Sequence, residues 1–258
     1  MLNTNMAKYA PPVSANPVHY LRGHYQMRQA ANELKEVTGY NLPDRPKLEI
    51  HNVPDSETVA QVHSRRLIVW DPKTALRTRG DAIPHEIYHY GQDSFRSGMG
   101  DHEAELRYVM KASSDQNSAN IASALWNGTN EAGAYLFGFQ SELKYFFNGD
   151  ELAKNILLKL QNHVNGPSLE KSKYTALDLI FAPDGIDADP SKTETIKAFG
   201  RITTLIVAAI VLDQNGFDVS ETAKDFLHAP DVILKRIKAL GYNGALASIN
   251  RAEEFIKK

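Results

Sequence analysis

Apolar and polar positions follow two different rhythms along this chain, and the change falls near residue 80. Between residues 19 and 38 the apolar residues Leu21, Met27, Leu34 and Val37 recur at helical spacing, and Gly39 supplies a stop. Leu48, Ile50 and Val53 then alternate with polar residues, which predicts a strand. A second strand is expected over Thr58–His63, turning through Ser64-Arg65 into a third, Arg66–Trp70. Beyond that point the helical rhythm takes over. It predicts helices over 82–94, 102–114, 117–127, 130–147, 150–163, 169–182, 194–214, 219–228, 230–240 and 243–257. The chain therefore reads as α+β: a small N-terminal β-sheet packed on the helix at 82–94, followed by a mostly helical C-terminal half. The expected organisation is a flexible lead-in over 1–18, a mixed region over 19–149 and a helical region over 150–258, with no linker that requires separate domains.

Composition narrows the picture by exclusion. The 258 residues are enough for a substantial core, and the net charge of −2 comes with no large basic run, so neither nucleic acid nor an anionic membrane is expected as partner. There is no cysteine, which removes disulfides, thiolate metal sites and cysteine nucleophiles together. Lys8 is the one basic residue in the first 18, and no apolar run follows it, so no secretory signal is expected there. Leu205–Leu212 is the longest strongly apolar run, too short to span a bilayer and expected as a buried helix. The acids of Asp184–Asp189 do not have EF-hand spacing, and an ordinary loop is expected. A cytoplasmic location and secretion without a cleavable signal both fit these features. Oligomeric state is not encoded in them.

One segment carries chemistry. Asp81-Ala82-Ile83-Pro84-His85-Glu86-Ile87-Tyr88-His89-Tyr90 holds two histidines four residues apart. On a helix they stack on one face, one turn apart, where two imidazoles can share a metal ion. Glu86 adjoins the first of them and can reach a metal-bound water. Ile83, Ile87 and Tyr90, at i, i+4 and i+7, give an apolar face beside the histidines. Asp81 is expected as N-cap, with Pro84 in the first turn, where a missing N–H costs little. A chance occurrence on an ordinary helix is the competing reading of so short a motif.

The order of strand, connection and His-Glu-x-x-His helix resembles the zincin superfamily of metallopeptidases. The resemblance covers roughly residues 65–145. It implies Zn²⁺ as cofactor, a protein or peptide substrate lying against a sheet edge, and Glu86 as general base. A third ligand is then needed. Metzincins place a histidine where this chain has Phe95, and peptide deformylase uses a cysteine, so both patterns are excluded. His102 is the nearest later histidine, in a loop-like stretch, and reads better as a helix start. Gly128-Thr129-Asn130-Glu131-Ala132-Gly133-Ala134-Tyr135 resembles the gluzincin pattern, a glutamate followed by small residues on a second helix. It is also similar to the Gly-Thr-x-Asp-x-x-Tyr segment of aspzincins, with Glu for Asp and the Tyr one residue late. Both comparisons point to Glu131, and Ala132, Gly133, Ala134 and Gly138 would let two helix backbones approach closely. Glu105 and Glu103 are the rivals for the third position.

Tyr135, one turn beyond Glu131, is the candidate to assist at an oxyanion. Tyr88 is an alternative, and simple packing competes as the role of both. Asp93, Glu103 or Glu105 could orient the histidines. Two further readings stand beside a soluble zinc endopeptidase. One is a non-catalytic metal-binding or protein-interaction module derived from a peptidase. The other is a translocated effector protease.

Overall fold

A computed structural model describes residues 16–53, 58–63, 65–96, 101–164, 168–189 and 192–258, the side chains of 101 and 102 excepted. Of the expected lead-in, residues 1–15 lie outside the described residues. The chain is mostly helical with one small sheet near its N-terminus.

Helix α1, Pro17–Thr38, is capped by the Asn16 side chain and ends where Gly39 takes the left-handed conformation, φ 74°. Three four-residue strands follow: β1 (Lys47–Ile50), β2 (Ala60–His63) and β3 (Arg66–Val69). β3 is central, parallel to β1 with Leu48 opposite Leu67, and antiparallel to β2 with Val62 opposite Leu67. β2 is therefore an edge strand, and it packs beside the His-bearing helix. The buried positions Leu48, Ile50, Leu67 and Val69 share a core with Met27 of α1 and with Ile83 and Ile87. The predicted apolar face of the motif helix is thus its core face.

A short helix α2 (Pro72–Ala75), not expected from the pattern, is capped by Asp71, whose carboxylate accepts from the Lys73 and Thr74 amides and the Thr74 hydroxyl. The remaining helices are α3 (Ala82–Phe95), α4 (Asp101–Ala112), α5 (Gln116–Leu143), α6 (Gly149–His163), α7 (Leu169–Phe181), α8 (Thr193–Gln214), α9 (Val219–Asp225) and α10 (Pro230–Lys257). They surround α5 and α8, which pack along each other at the centre of the larger core. By length and composition α8 could cross a membrane, yet every residue from Thr203 to Leu212 is buried inside the chain's own core.

One boundary differs from expectation and another agrees with it. A break was expected near Gly128-Thr129, but α5 runs through it as one helix. A β-carbon at residue 128 would stand 2.5 Å from the Gly200 carbonyl oxygen of α8, so the glycine marks a close helix crossing. The Thr129 hydroxyl is satisfied by the Leu125 carbonyl at 2.7 Å within the same helix. At Gly241 the pattern does show a break: φ is +70° there, and α10 is two helical stretches joined across a kink.

Candidate metal centre

Helix α3 carries the first two groups. Its start is not capped as expected: Asp81 has helical backbone angles and makes no side-chain cap bond. Instead its carbonyl accepts from the His85 amide at 2.9 Å, and its carboxylate faces Lys159 of α6 at 3.6 Å. With Pro84 in the first turn the helix needs fewer amide acceptors, which frees Asp81 for that ion pair. His85 and His89 then stand one turn apart, their Nε2 atoms 3.2 Å from each other.

Helix α5 brings the third group. It crosses α3 where residue 138 has no side chain. A β-carbon there would lie 3.0 Å from the Asp81 carbonyl oxygen and 3.3 Å from the His85 β-carbon. Gly133 likewise leaves room for the Tyr88 ring. At this separation Glu131 reaches both histidines, with one carboxylate oxygen 3.3 Å from His85 Nε2 and the other 3.4 Å from His89 Nε2. His85, His89 and Glu131 form a group that could hold a metal ion, their ligand atoms all within 4.8 Å of one another.

The spacing itself tests the fit. Tetrahedral zinc with bonds of about 2.0–2.1 Å separates neighbouring ligand atoms by ~3.3–3.4 Å. The two histidine nitrogens stand 3.2 Å apart, and each lies at a similar distance, 3.3 and 3.4 Å, from a different oxygen of Glu131, so the separations are of the size that zinc requires. Two imidazoles and one carboxylate are also a donor set suited to a catalytic site with an open position. The Glu131 side chain keeps 40% of its surface accessible, against 13% and 17% for the histidines, so the group is reachable from solvent.

Charge is concentrated here. Burial works against a charged His89, but the adjacent Glu131 carboxylate outweighs it and raises the imidazole pKa to about 9. Burial also opposes charge on Glu131, and His89 followed by His85 hold its carboxyl well below the usual carboxylate range. A metal cation would replace the proton that this pair holds near neutral pH.

His89 is oriented from behind by Gln92, whose Oε1 lies 2.9 Å from Nδ1. Gln92 is fully buried, and its amide nitrogen donates to the Asn130 carbonyl at 3.2 Å and the Phe226 carbonyl at 3.0 Å. The partner of His89 Nδ1 is therefore an amide one turn away rather than an acid. Glu105 accepts from the Ser123 hydroxyl at 2.6 Å and from Asn127, and Glu103 pairs with Arg107, so the metal triad contains neither. His102 has its side chain outside the described residues.

Glu86 turns toward the sheet. Its Oε2 accepts the Val62 amide of edge strand β2 at 2.7 Å, and Oε1 lies 4.0 Å from His85 Nε2. Burial raises its pKa despite the nearby histidines and that hydrogen bond. Tyr135 packs its ring on His85, centroids 4.5 Å apart, and on the far side meets His163 of α6 at 4.6 Å. Burial and then the charge of Glu131 push the Tyr135 phenol up. His163 was not singled out in the sequence, where it stands alone in the last turn of a helix 74 residues beyond His89. Tyr88 is no part of the cleft: it is fully buried and its hydroxyl donates to the Ala223 carbonyl.

A cleft of about 1410 Å³ runs across this group, between β2 on one side and α5 and α6 on the other. Its walls include His85, Glu86, His89, Glu131, Tyr135 and His163. Comparison with models of known protein families, with curated proteins and with solved structures finds nothing that matches the chain.

Proposed function

We propose that this chain is a zinc-dependent peptidase of zincin type, in which His85, His89 and Glu131 hold the metal and Glu86 is the general base. The observation that carries the reading is the grouping of His85, His89 and Glu131, ligand atoms within 4.8 Å of one another, with Glu86 beside it, in the wall of a cleft. Bound zinc would supply a Lewis acid and bring the pKa of a coordinated water from 15.7 to about 7.

The chain's own groups account for the rest. Glu86 is held at one oxygen by Val62 N–H, leaving the other on the His85 side to accept a proton from water. Its raised pKa brings it closer to the neutral range, where it can also return that proton to the leaving amine. Tyr135, whose ring packs between His85 and His163, is the proposed hydrogen-bond donor to a developing oxyanion.

A protein or peptide substrate fits the architecture. β3 occupies one side of β2, and the other side borders the cleft, where Val62 N–H points to Glu86 rather than into the sheet. An extended chain can add to such an edge through main-chain hydrogen bonds.

Zinc per chain, measured by elemental mass spectrometry on protein purified without added metal, tests the ligand set. Wild type is expected near one, Glu131→Ala near zero, and Glu105→Ala unchanged. Glu86→Gln should keep its zinc and lose hydrolysis of a peptide library by about 10²–10⁴-fold. No zinc in wild type after reconstitution would refute the metal centre. A metal-loaded wild type with no turnover would instead favour a non-catalytic binding module.

A further inference from the structure

A second cavity, of about 550 Å³, lies between α4, α5 and α10. It shares no lining residue with the metal cleft. Both open from α5, but Trp126 and Glu131 are five residues apart, about 140° round the helix. The volume falls within the roughly 300–1,000 Å³ usual for small-ligand sites.

Its two ends differ in character. Trp126 and Leu234 are buried and form an apolar floor with Tyr108, Ala104 and Ala229. The Tyr108 and Trp126 rings meet at 5.3 Å. The mouth is cationic: Arg107 and Lys111 come from α4, Lys235 and Lys238 from α10, all exposed. Glu103 pairs with Arg107 and Asp231 with Lys235, both one helical turn away. Lys111 and Lys238 have no ion-pair partner among the described residues. Asp231 is the one acid among the lining residues, against five arginines and lysines.

An apolar floor under an excess of positive charge defines a complementary ligand, with an apolar chain and an anionic head. Residues 1–15 do not meet that description, because Lys8 is their one charged side chain. We infer that this cavity binds a free amphiphilic carboxylate of fatty-acid type, its chain on Trp126 and Leu234 and its head between Lys111 and Lys238. Exposed lysines on two helices can close on a carboxylate without burying an unpaired charge, so the head costs little desolvation.

Calorimetric titration of the full-length chain with dodecanoate, below its micellar concentration, tests the assignment. Saturation at one per chain is expected, with dodecyltrimethylammonium and acetate each at least about tenfold weaker, because the first has the wrong charge and the second lacks the chain. Lys111→Glu combined with Lys238→Glu should weaken dodecanoate by at least about tenfold while the circular dichroism spectrum is unchanged. In a Trp70→Phe background, where Trp126 is the remaining tryptophan, dodecanoate should shift the emission. Equal affinity for the ammonium amphiphile, an unaffected double variant, or binding without an emission change would overturn the assignment. So would binding to phosphatidylglycerol vesicles with none to free dodecanoate, which would make the patch a membrane contact.

Discussion

At the level of single residues, the site depends on groups whose roles are set by one neighbour each. Gln92 fixes the His89 ring through Nδ1 while its amide nitrogen is anchored on two carbonyls. Gln92→Leu should therefore lower zinc affinity by about 10–100-fold, as read by competition with a chelating dye. Tyr135→Phe keeps the ring that packs on His85 and His163 and removes only the hydroxyl. If the phenol serves the oxyanion, kcat falls by up to about 10²–10³-fold with KM and zinc content preserved. A loss of zinc in that variant would show that the hydroxyl supports the metal site itself rather than the oxyanion. The residue pattern disclosed His85, Glu86 and His89 because their spacing is local: four residues on a helix are one turn, wherever the helix lies. It favoured Glu131 over Glu103 and Glu105 through the resemblance of the segment 128–135 to two zincin patterns and through its small neighbours. Gln92 and His163 carried no comparable signal, since an amide inside a helix and a lone histidine are ordinary in any sequence.

At the level of elements, two close approaches hold the site together. Helix α5 touches α3 at Gly138, where a side chain would meet the Asp81 carbonyl and the His85 β-carbon. Gly138→Val should push the helices apart, costing roughly 1–3 kcal/mol in chemical denaturation. It should also reduce zinc binding, because Glu131 moves with α5. The second approach joins Val62 of β2 to Glu86. Val62→Pro removes that donor at an edge position that proline tolerates. If Glu86 is the base as proposed, hydrolysis should drop while zinc stays bound, a combination that separates positioning of that carboxylate from assembly of the metal site. Most helix limits were visible in the apolar periodicity and in stops such as Gly39. The break expected at Gly128 was not there, because a glycine that admits a neighbouring helix and one that ends its own look alike in a sequence.

At the level of the whole molecule, the three candidate ligands join α3 of the sheet-bearing part to α5 of the helical core. Metal binding to the folded chain alone stabilises it by mass action. A chelator should lower the melting temperature of wild type and leave Glu131→Ala, already metal-free, where it was, as followed by calorimetry. The expected regions 19–149 and 150–258 are bridged by the α5–α8 packing and by the contacts of α1 with α9. The small sheet and the many helices follow from period-2 and period-3.6 patterning, which each segment states for itself. So does the presence of a His-Glu-x-x-His helix with an apolar back. What the sequence alone did not decide was which acid, of Glu103, Glu105 and Glu131, faces the histidines, and that β2 lays its free edge on Glu86. Nor did it decide that cationic residues of α4 and α10 gather over Trp126. Each of these joins residues on different elements, and the side chain that meets another across the fold is settled by how helices cross and strands order, which no local period records.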